Sequence, residues 1–263
     1  MTKLRGKVVA ITGASGGLGK EIAIQAAKQG ASVVLLARSM DKLVTLRKTL
    51  IDTFGVSVFA FELDVANSNE VRAVFERIAN EAGEVDILVN NAGYGIFKEA
   101  AETDIDEAKA MFDVNVLGLM ACTNNVLSSM KRRKAGHIIN IASQAGKMAT
   151  PKSSLYSATK FAVLGYSNAL RMEVKEEGIS VTTVNPGPIA TNFFEMADES
   201  GNYVKSIQKF MLKPEAVAQK IVESMLTKKR EINLPGWMNV ASKLYYLFPA
   251  TAELVGKRAF FKK

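Results

Sequence analysis

A chain of 263 residues, 48% hydrophobic and 23% charged, is long enough to bury one large core and reads as a single soluble globular domain. Its one cysteine, Cys122, excludes an intramolecular disulfide, and with its one histidine, His137, cannot complete the usual metal-ligand sets, so no metal is expected. No charged N-terminal stretch leads into an apolar run, and no run of about 18 consecutive apolar residues occurs, so the expectation is a cytoplasmic chain that does not cross a bilayer. The net charge of +8 does not mark a nucleic-acid partner. Lys131, Arg132, Arg133 and Lys134 close one long helical pattern, and Lys228, Lys229 and Arg230 follow another, where cations suit the negative end of a helix dipole.

In chain order, short β-branched runs alternate with stretches of helical period. Strands are predicted at about residues 7–12, 32–37, 57–62, 86–90, 136–142, 180–185 and 231–234, and helices at about 17–29, 41–54, 67–82, 104–133, 153–177 and 214–227. The alternation predicts one doubly wound α/β domain, a seven-stranded parallel sheet with helices on both faces. Gly30, Gly55, Gly83, Gly136 and Gly178 each fall between a helix and the next strand, where a positive φ ends a helix at low cost. Two segments break the pattern. One, about 188–213, is long for a connection and lies beyond a strand's carboxyl end, as a lid over a site would; the other is the extension from about 235 to 263.

Thr12-Gly13-Ala14-Ser15-Gly16-Gly17-Leu18-Gly19 follows the first strand and opens the first helix, so its backbone N–H groups can face a pyrophosphate at the helix N-terminus. A carboxylate about 20 residues on would hold the adenosine ribose of NAD(H). Here the second strand ends in Ala37-Arg38-Ser39, and a guanidinium pairs instead with a 2′-phosphate, which favours NADP(H) over NAD(H). Ser15 and Ser39 are further phosphate donors, and the surplus of basic residues helps to attract an anionic dinucleotide. Asp64 and Val65 after the third strand are candidates for the adenine edge, and Asn91, Ala92 and Gly93 after the fourth for the ribose.

Tyr156 and Lys160 stand four apart in a predicted helix and share a face. A tyrosine rarely ionises at neutral pH, but a nearby ammonium and an oxidised nicotinamide both favour the phenolate, which can then exchange a proton with an alcohol or carbonyl oxygen. Ser143 lies just past the fifth strand, thirteen residues earlier, where a hydroxyl can hold the substrate oxygen. Asn115 interrupts a helical pattern, and an amide there marks a local distortion or a polar contact with function.

The glycine motif, Asp64, Asn90-Asn91-Ala92-Gly93, Asn115, Ser143, Tyr156 with Lys160, and Asn185-Pro186-Gly187 with Thr191 occur in the order and spacing of the short-chain dehydrogenase/reductase family, which the chain resembles over most of its length. The resemblance implies a Rossmann-type fold and a tetrad. In it Tyr156 is the general acid/base, Ser143 positions the substrate oxygen, Lys160 binds the nicotinamide ribose and lowers the Tyr156 pKa, and Asn115 holds a water in the proton relay. It further implies cofactor contacts from Gly13, Gly17, Leu18 and Gly19, from Pro186, Gly187, Ile189 and Thr191 around the nicotinamide, a mobile lid from Ile189 to Lys213, and a homodimer or homotetramer. The expected reaction is hydride transfer between NADP(H) and a carbonyl or secondary alcohol.

Acyl transfer at Ser143 is disfavoured, since no Gly-x-Ser-x-Gly elbow surrounds it. A catalytically silent NADP(H) sensor remains an alternative, opposed by the intact tetrad. The lid carries Phe193, Phe194, Met196, Tyr203, Ile207, Phe210 and Met211, which points to an apolar substrate, while the preference for NADP(H) points to reduction as the cellular direction. In the C-terminal extension Val240, Leu244, Leu247 and Phe248 follow helical spacing near Trp237, Met238, Tyr245 and Tyr246. Packing on the core or on a second subunit is favoured there over contact with a membrane surface, which Lys243, Lys257, Arg258, Lys262 and Lys263 would assist if the chain were a peripheral lipid carbonyl reductase.

Overall fold

Seven strands, Val8–Thr12 (β1), Ser32–Ala37 (β2), Val58–Glu62 (β3), Ile87–Asn90 (β4), Gly136–Ile141 (β5), Ile179–Pro186 (β6) and Glu231–Leu234 (β7), form one sheet in the order β3, β2, β1, β4, β5, β6, β7, and every pairing is parallel. The computed structural model describes residues 3–198 and 201–260; Lys262 and Lys263 lie outside the described residues, as do the side chains of Tyr203, Lys257 and Arg258. The helices are Gly17–Lys28 (α1), Met40–Phe54 (α2), Ser68–Glu81 (α3), Ile105–Phe112 (α4), Leu119–Arg133 (α5), Ser154–Glu173 (α6), Phe193–Ala197 (α7), Asn202–Ile207 (α8), Pro214–Ser224 (α9), Gly236–Leu247 (α10) and Pro249–Phe260 (α11).

The strands are apolar on both faces because helices cover both. Val9, Ile11, Val33 and Leu35 pack with Ile22 of α1, Leu43 of α2 and Ile221 of α9. The intervening Ala10, Val34 and Leu36 pack on the opposite side with Val71 of α3, Cys122 of α5 and Leu170 of α6. A fully buried side chain such as Ile22 or Leu35 stabilises the fold by about 2–5 kcal/mol relative to alanine. From β1 the chain winds outward to β2 and β3, then returns to β4 on the other side of β1. The connections therefore diverge at the carboxyl ends of β1 and β4 and leave a crevice between them.

Several local expectations need correction. Gly30, Gly55, Gly83 and Gly178 do adopt positive φ, but Gly136 does not; Lys134 takes the left-handed position at φ 48° and Gly136 begins β5. A side chain at Gly136 would strike Met130, so the glycine serves close packing. Arg132 and Arg133 sit in the last turn of α5 but also pair with carboxylates, Arg132 with Glu84 and Arg133 with Glu84 and Asp86. Lys228, Lys229 and Arg230 are not helix-terminal at all: α9 ends at Ser224, and Arg230 instead donates to Asn168 Oδ1 at 2.9 Å. The helix from Ile105 to Arg133 is long and apolar enough over 18 residues to match a membrane span by composition. Burial of Met111, Val116, Leu119, Val126 and Met130 in the protein core accounts for that apolarity. The lid is not structureless, since it holds α7 and α8 and closes at its base through a parallel bridge between Ile189 and Leu212.

His137 is fully buried on β5. Its Nδ1 accepts from the Leu226 N–H at 2.9 Å, so Nε2 carries the proton and donates to Thr182 Oγ1 at 2.8 Å. Burial, with a smaller contribution from Lys3, lowers its pKa from 6.5 to about 4. The folded state therefore resists protonation more than the unfolded one. This stability is full above pH 6.5 and is lost as pH falls toward the folded value, by about 3 kcal/mol. Urea unfolding at pH 7.5 and pH 4.5 should show that loss for the native chain and a smaller pH slope for His137→Gln; equal slopes would assign the acid sensitivity elsewhere.

Candidate active site

At the crevice between β1 and β4 the backbone is tied by one hydroxyl and one amide. Thr12 Oγ1 accepts from the N–H groups of Asn91 and Ala92 at 2.9 and 3.0 Å, while Asn91 Nδ2 donates to the carbonyls of Thr12 and Gly13 at 2.9 and 3.3 Å. Gly13 and Gly17 adopt positive φ, and a side chain at Gly13 would meet the Asn91 amide and the Ala92 backbone. Helix α1 then begins with no side-chain cap and no acid in its first turn. Its first N–H groups and dipole are thus left to an anion. These features fit a pyrophosphate, and Gly17, whose missing side chain would touch Thr191 at the lid base, keeps the approach clear.

A second group assembles around α6. A π-helical turn, Asp113–Gly118, separates α4 from α5 and carries Asn115 into the core, 1% exposed. Asn115 Nδ2 donates to the Tyr94 carbonyl at 2.8 Å and to Thr159 Oγ1 at 3.1 Å, and its Oδ1 accepts from the Tyr94 N–H at 3.0 Å. Both amide hydrogens are thus committed within the chain, so a relay water at this residue would have to bond its oxygen or its backbone. Lys160 is buried, and its ammonium donates to the Ile141 carbonyl at 3.0 Å and lies 5.7 Å from the centre of the Tyr156 ring. Burial lowers the Lys160 pKa to about 8, which leaves the group cationic at neutral pH yet able to pass on a proton. Ser143 lies two residues past β5, and its Oγ accepts from the Ala145 N–H at 3.0 Å, which fixes the turn. Rings of Phe97 and Phe193 pack against Tyr156 with centres 6.1 and 5.5 Å away.

Both groups share one cleft of about 1920 Å³ at the carboxyl edge of the sheet. It is lined by Gly13, Ser15, Gly17 and Leu18, by Arg38 and Ser39, by Asp64 and Val65, by Asn91, Ala92 and Gly93, by Ser143, Tyr156 and Lys160, and by Pro186, Gly187, Ile189 and Thr191. Two expected site residues do not reach its wall. Gly19 is buried behind the motif, where a methyl would collide with the Gly13 carbonyl and the Asn91 amide, so it acts by letting α1 pack closely. Asn115 sits beneath the cleft and holds residue 94 against α6. Lys20 and Lys42 line the cleft as well and were missed; Lys42 stands in the first turn of α2, just after Arg38, so a helix start at residue 40 would have placed it near the same end of the cleft. Gly95 was also missed, and no local pattern marks it: a side chain there would strike Phe193 and Tyr156.

Fold and site together define a nicotinamide-type oxidoreductase acting on alcohol or carbonyl groups. Residues 7–201 match the family model described as short chain dehydrogenase, and the chain belongs to that family. An uncharacterized oxidoreductase of Staphylococcus saprophyticus is 40% identical over 191 residues, 73% of this chain and 82% of that protein. An NADP-dependent 3-hydroxy acid dehydrogenase of Schizosaccharomyces pombe is 35% identical over 195 residues, 73% of this chain and 75% of that one. Among solved structures, a short-chain dehydrogenase of Sphingobium yanoikuyae in complex with NADPH superimposes with a TM-score of 0.81 at 27% identity, covering 95% of each chain.

The glycine geometry separates two substitutions that look alike in sequence. Gly19→Ala should destabilise the fold by about 1–3 kcal/mol, lowering the melting temperature by about 2–10 °C, and should weaken dinucleotide binding by distorting Gly13. Gly16→Ala, where a methyl meets nothing within 4 Å, should leave the melting temperature unchanged. Differential scanning fluorimetry of both variants checks the contrast, and equal melting temperatures would refute the packing role of Gly19.

Proposed function

We propose that this chain is an NADP(H)-dependent carbonyl reductase for apolar substrates, with Tyr156 as its acid. The observation that carries the proposal is the arrangement of one cleft, with Tyr156 and Lys160 in its middle and Arg38, Lys42 and Lys20 at one end. Strand β2 ends without a carboxylate, and Arg38 and Lys42 supply the charge and planar donors that a 2′-phosphate needs. NADP(H) is therefore preferred over NAD(H).

When bound, the dinucleotide supplies a hydride to the carbonyl carbon. The chain's own residues do the rest. Ser143 Oγ holds the carbonyl oxygen, and Tyr156 donates its hydroxyl proton to that oxygen as negative charge develops there. The Lys160 ammonium stabilises the resulting phenolate and binds the nicotinamide ribose, and its own position is set by the Ile141 carbonyl. Asn115 fixes the loop after β4 and the start of α6, so that Tyr156 and Lys160 keep their spacing. Phe97, Phe193 and Phe194 exclude water from the reacting atoms and favour an apolar substituent on the carbonyl.

Steady-state NADPH oxidation with a panel of aldehydes and ketones tests the chemistry. Tyr156→Phe should lower kcat at least about 1000-fold while the Kd for NADPH stays within threefold of the native value. Arg38→Asp should weaken NADPH binding about 30- to 100-fold, the loss of a charge-assisted bidentate contact, and should improve use of NADH. Tight NADPH binding without turnover on any carbonyl would favour the sensor, and equal use of both dinucleotides by the native chain would remove the role of Arg38.

A further inference from the structure

We propose that α10, α11 and the lid form a subsite for one long unbranched alkyl chain, so that the carbonyl compound bears a linear tail of roughly ten or more carbons. This rests on the carbonyl-reductase function above and adds the shape of the substrate.

Trp237, Ala241 and Leu244 of α10, Phe248 at its end and Ala252 of α11 all line the cleft that holds Tyr156. The first four, spaced four, three and four apart, make a single stripe along α10, and Ala252 joins it from α11 beyond the break at Phe248. From Trp237 to Phe248 the stripe runs about 16 Å at the helical rise, the length of roughly thirteen bonds of an extended chain at about 1.2 Å each. Met196, Ile207 and Phe210 line the same cleft from the lid. The stripe joins the reacting centre directly, because Met238 packs on Gly187, where a side chain would come within 2.8 Å of its sulfur.

Charge divides the cleft. Lys20, Arg38, Lys42, Asp64, Asp113 and Lys160 all precede residue 161, and among the described residues no cleft-lining one from position 186 onward is charged. A carboxylate or phosphate on the distal part of the substrate would find no charged partner among these described residues. Met196, Phe210, Trp237, Leu244 and Phe248 are each more than half exposed. An apolar face of this kind needs an occupant, and its continuity with Tyr156 points to the substrate. A narrow stripe one helix face wide, with Ala241 and Ala252 along it, matches a flexible chain better than a fused ring system. The family model ends at residue 201, so this wall lies outside the part common to the family and is free to set specificity.

Trp237 is the chain's one tryptophan and reports on the subsite without turnover. Adding dodecanol to the full-length protein should shift Trp237 emission to the blue and saturate, whereas butanol should not. Ala241→Phe and Ala252→Phe, which fill the stripe, should each abolish the shift while retaining NADPH binding. In turnover, kcat/KM should rise about two- to fourfold per methylene from butanal to dodecanal, and the two variants should flatten that slope. No shift with dodecanol, or a shift and slope that both variants leave intact, would overturn the subsite. So would a blue shift that needs only higher protein concentration, or only phosphatidylcholine vesicles, since a second copy or a bilayer would then cover the stripe. A saturable dodecanol shift with no reduction of any aldehyde would uphold the subsite and sink the proposed chemistry instead.

Discussion

The tie between β1 and β4 is the constraint on which the molecule depends. Where strand order reverses, the ladder between β1 and β4 ends at Ile11 and Val89, and the turns beyond it are held by side chains. Thr12 and Asn91 do this reciprocally, a hydroxyl accepting two backbone N–H groups and an amide donating to two carbonyls. The same contact brings the chains so close that Gly13 and Gly19 cannot bear side chains. An uncapped helix N-terminus beside a gap free of side chains is a consequence of this packing, and such a terminus suits an anion.

A second buried amide organises the other half of the site. Asn115 could not reach both residue 94 and Thr159 from a regular helix; the π turn at Asp113–Gly118 rotates it inward, and Gly118 allows the helix to approach Val65 closely enough for that turn to fit. The polar groups are satisfied by one another, which holds α6 at a fixed height above β5 and places the Lys160 ammonium on the Ile141 carbonyl. Positioning and chemistry are therefore divided between residues: the amide lies under the floor, and the tyrosine, lysine and serine face the cleft.

Electrostatics and apolar surface are also segregated. Basic residues gather around Arg38, between β2 and α2, while every described cleft-lining residue after β6 is uncharged. The Lys147 ammonium does not enter that uncharged half as a ligand group, because Glu231 at 2.6 Å and Asn233 at 2.9 Å engage it and tie the loop after Ser143 to β7.

The sequence by itself determined the strand and helix alternation, because apolar runs buried on two faces and helical stripes buried on one leave different periods in the residue order. It also named most of the residues that line the cleft, because glycines at a turn, Arg38 after β2, and Tyr156 four residues before Lys160 are local patterns. Only the tertiary structure decided how distant residues meet. It showed that Gly19 and Asn115 work behind the cleft, that Lys134 and not Gly136 ends α5, that Arg230 belongs to Asn168, and that Trp237 to Ala252 continue the site of Tyr156. Most of these contacts join residues tens of positions apart, and short-range periodicity carries no information about such contacts.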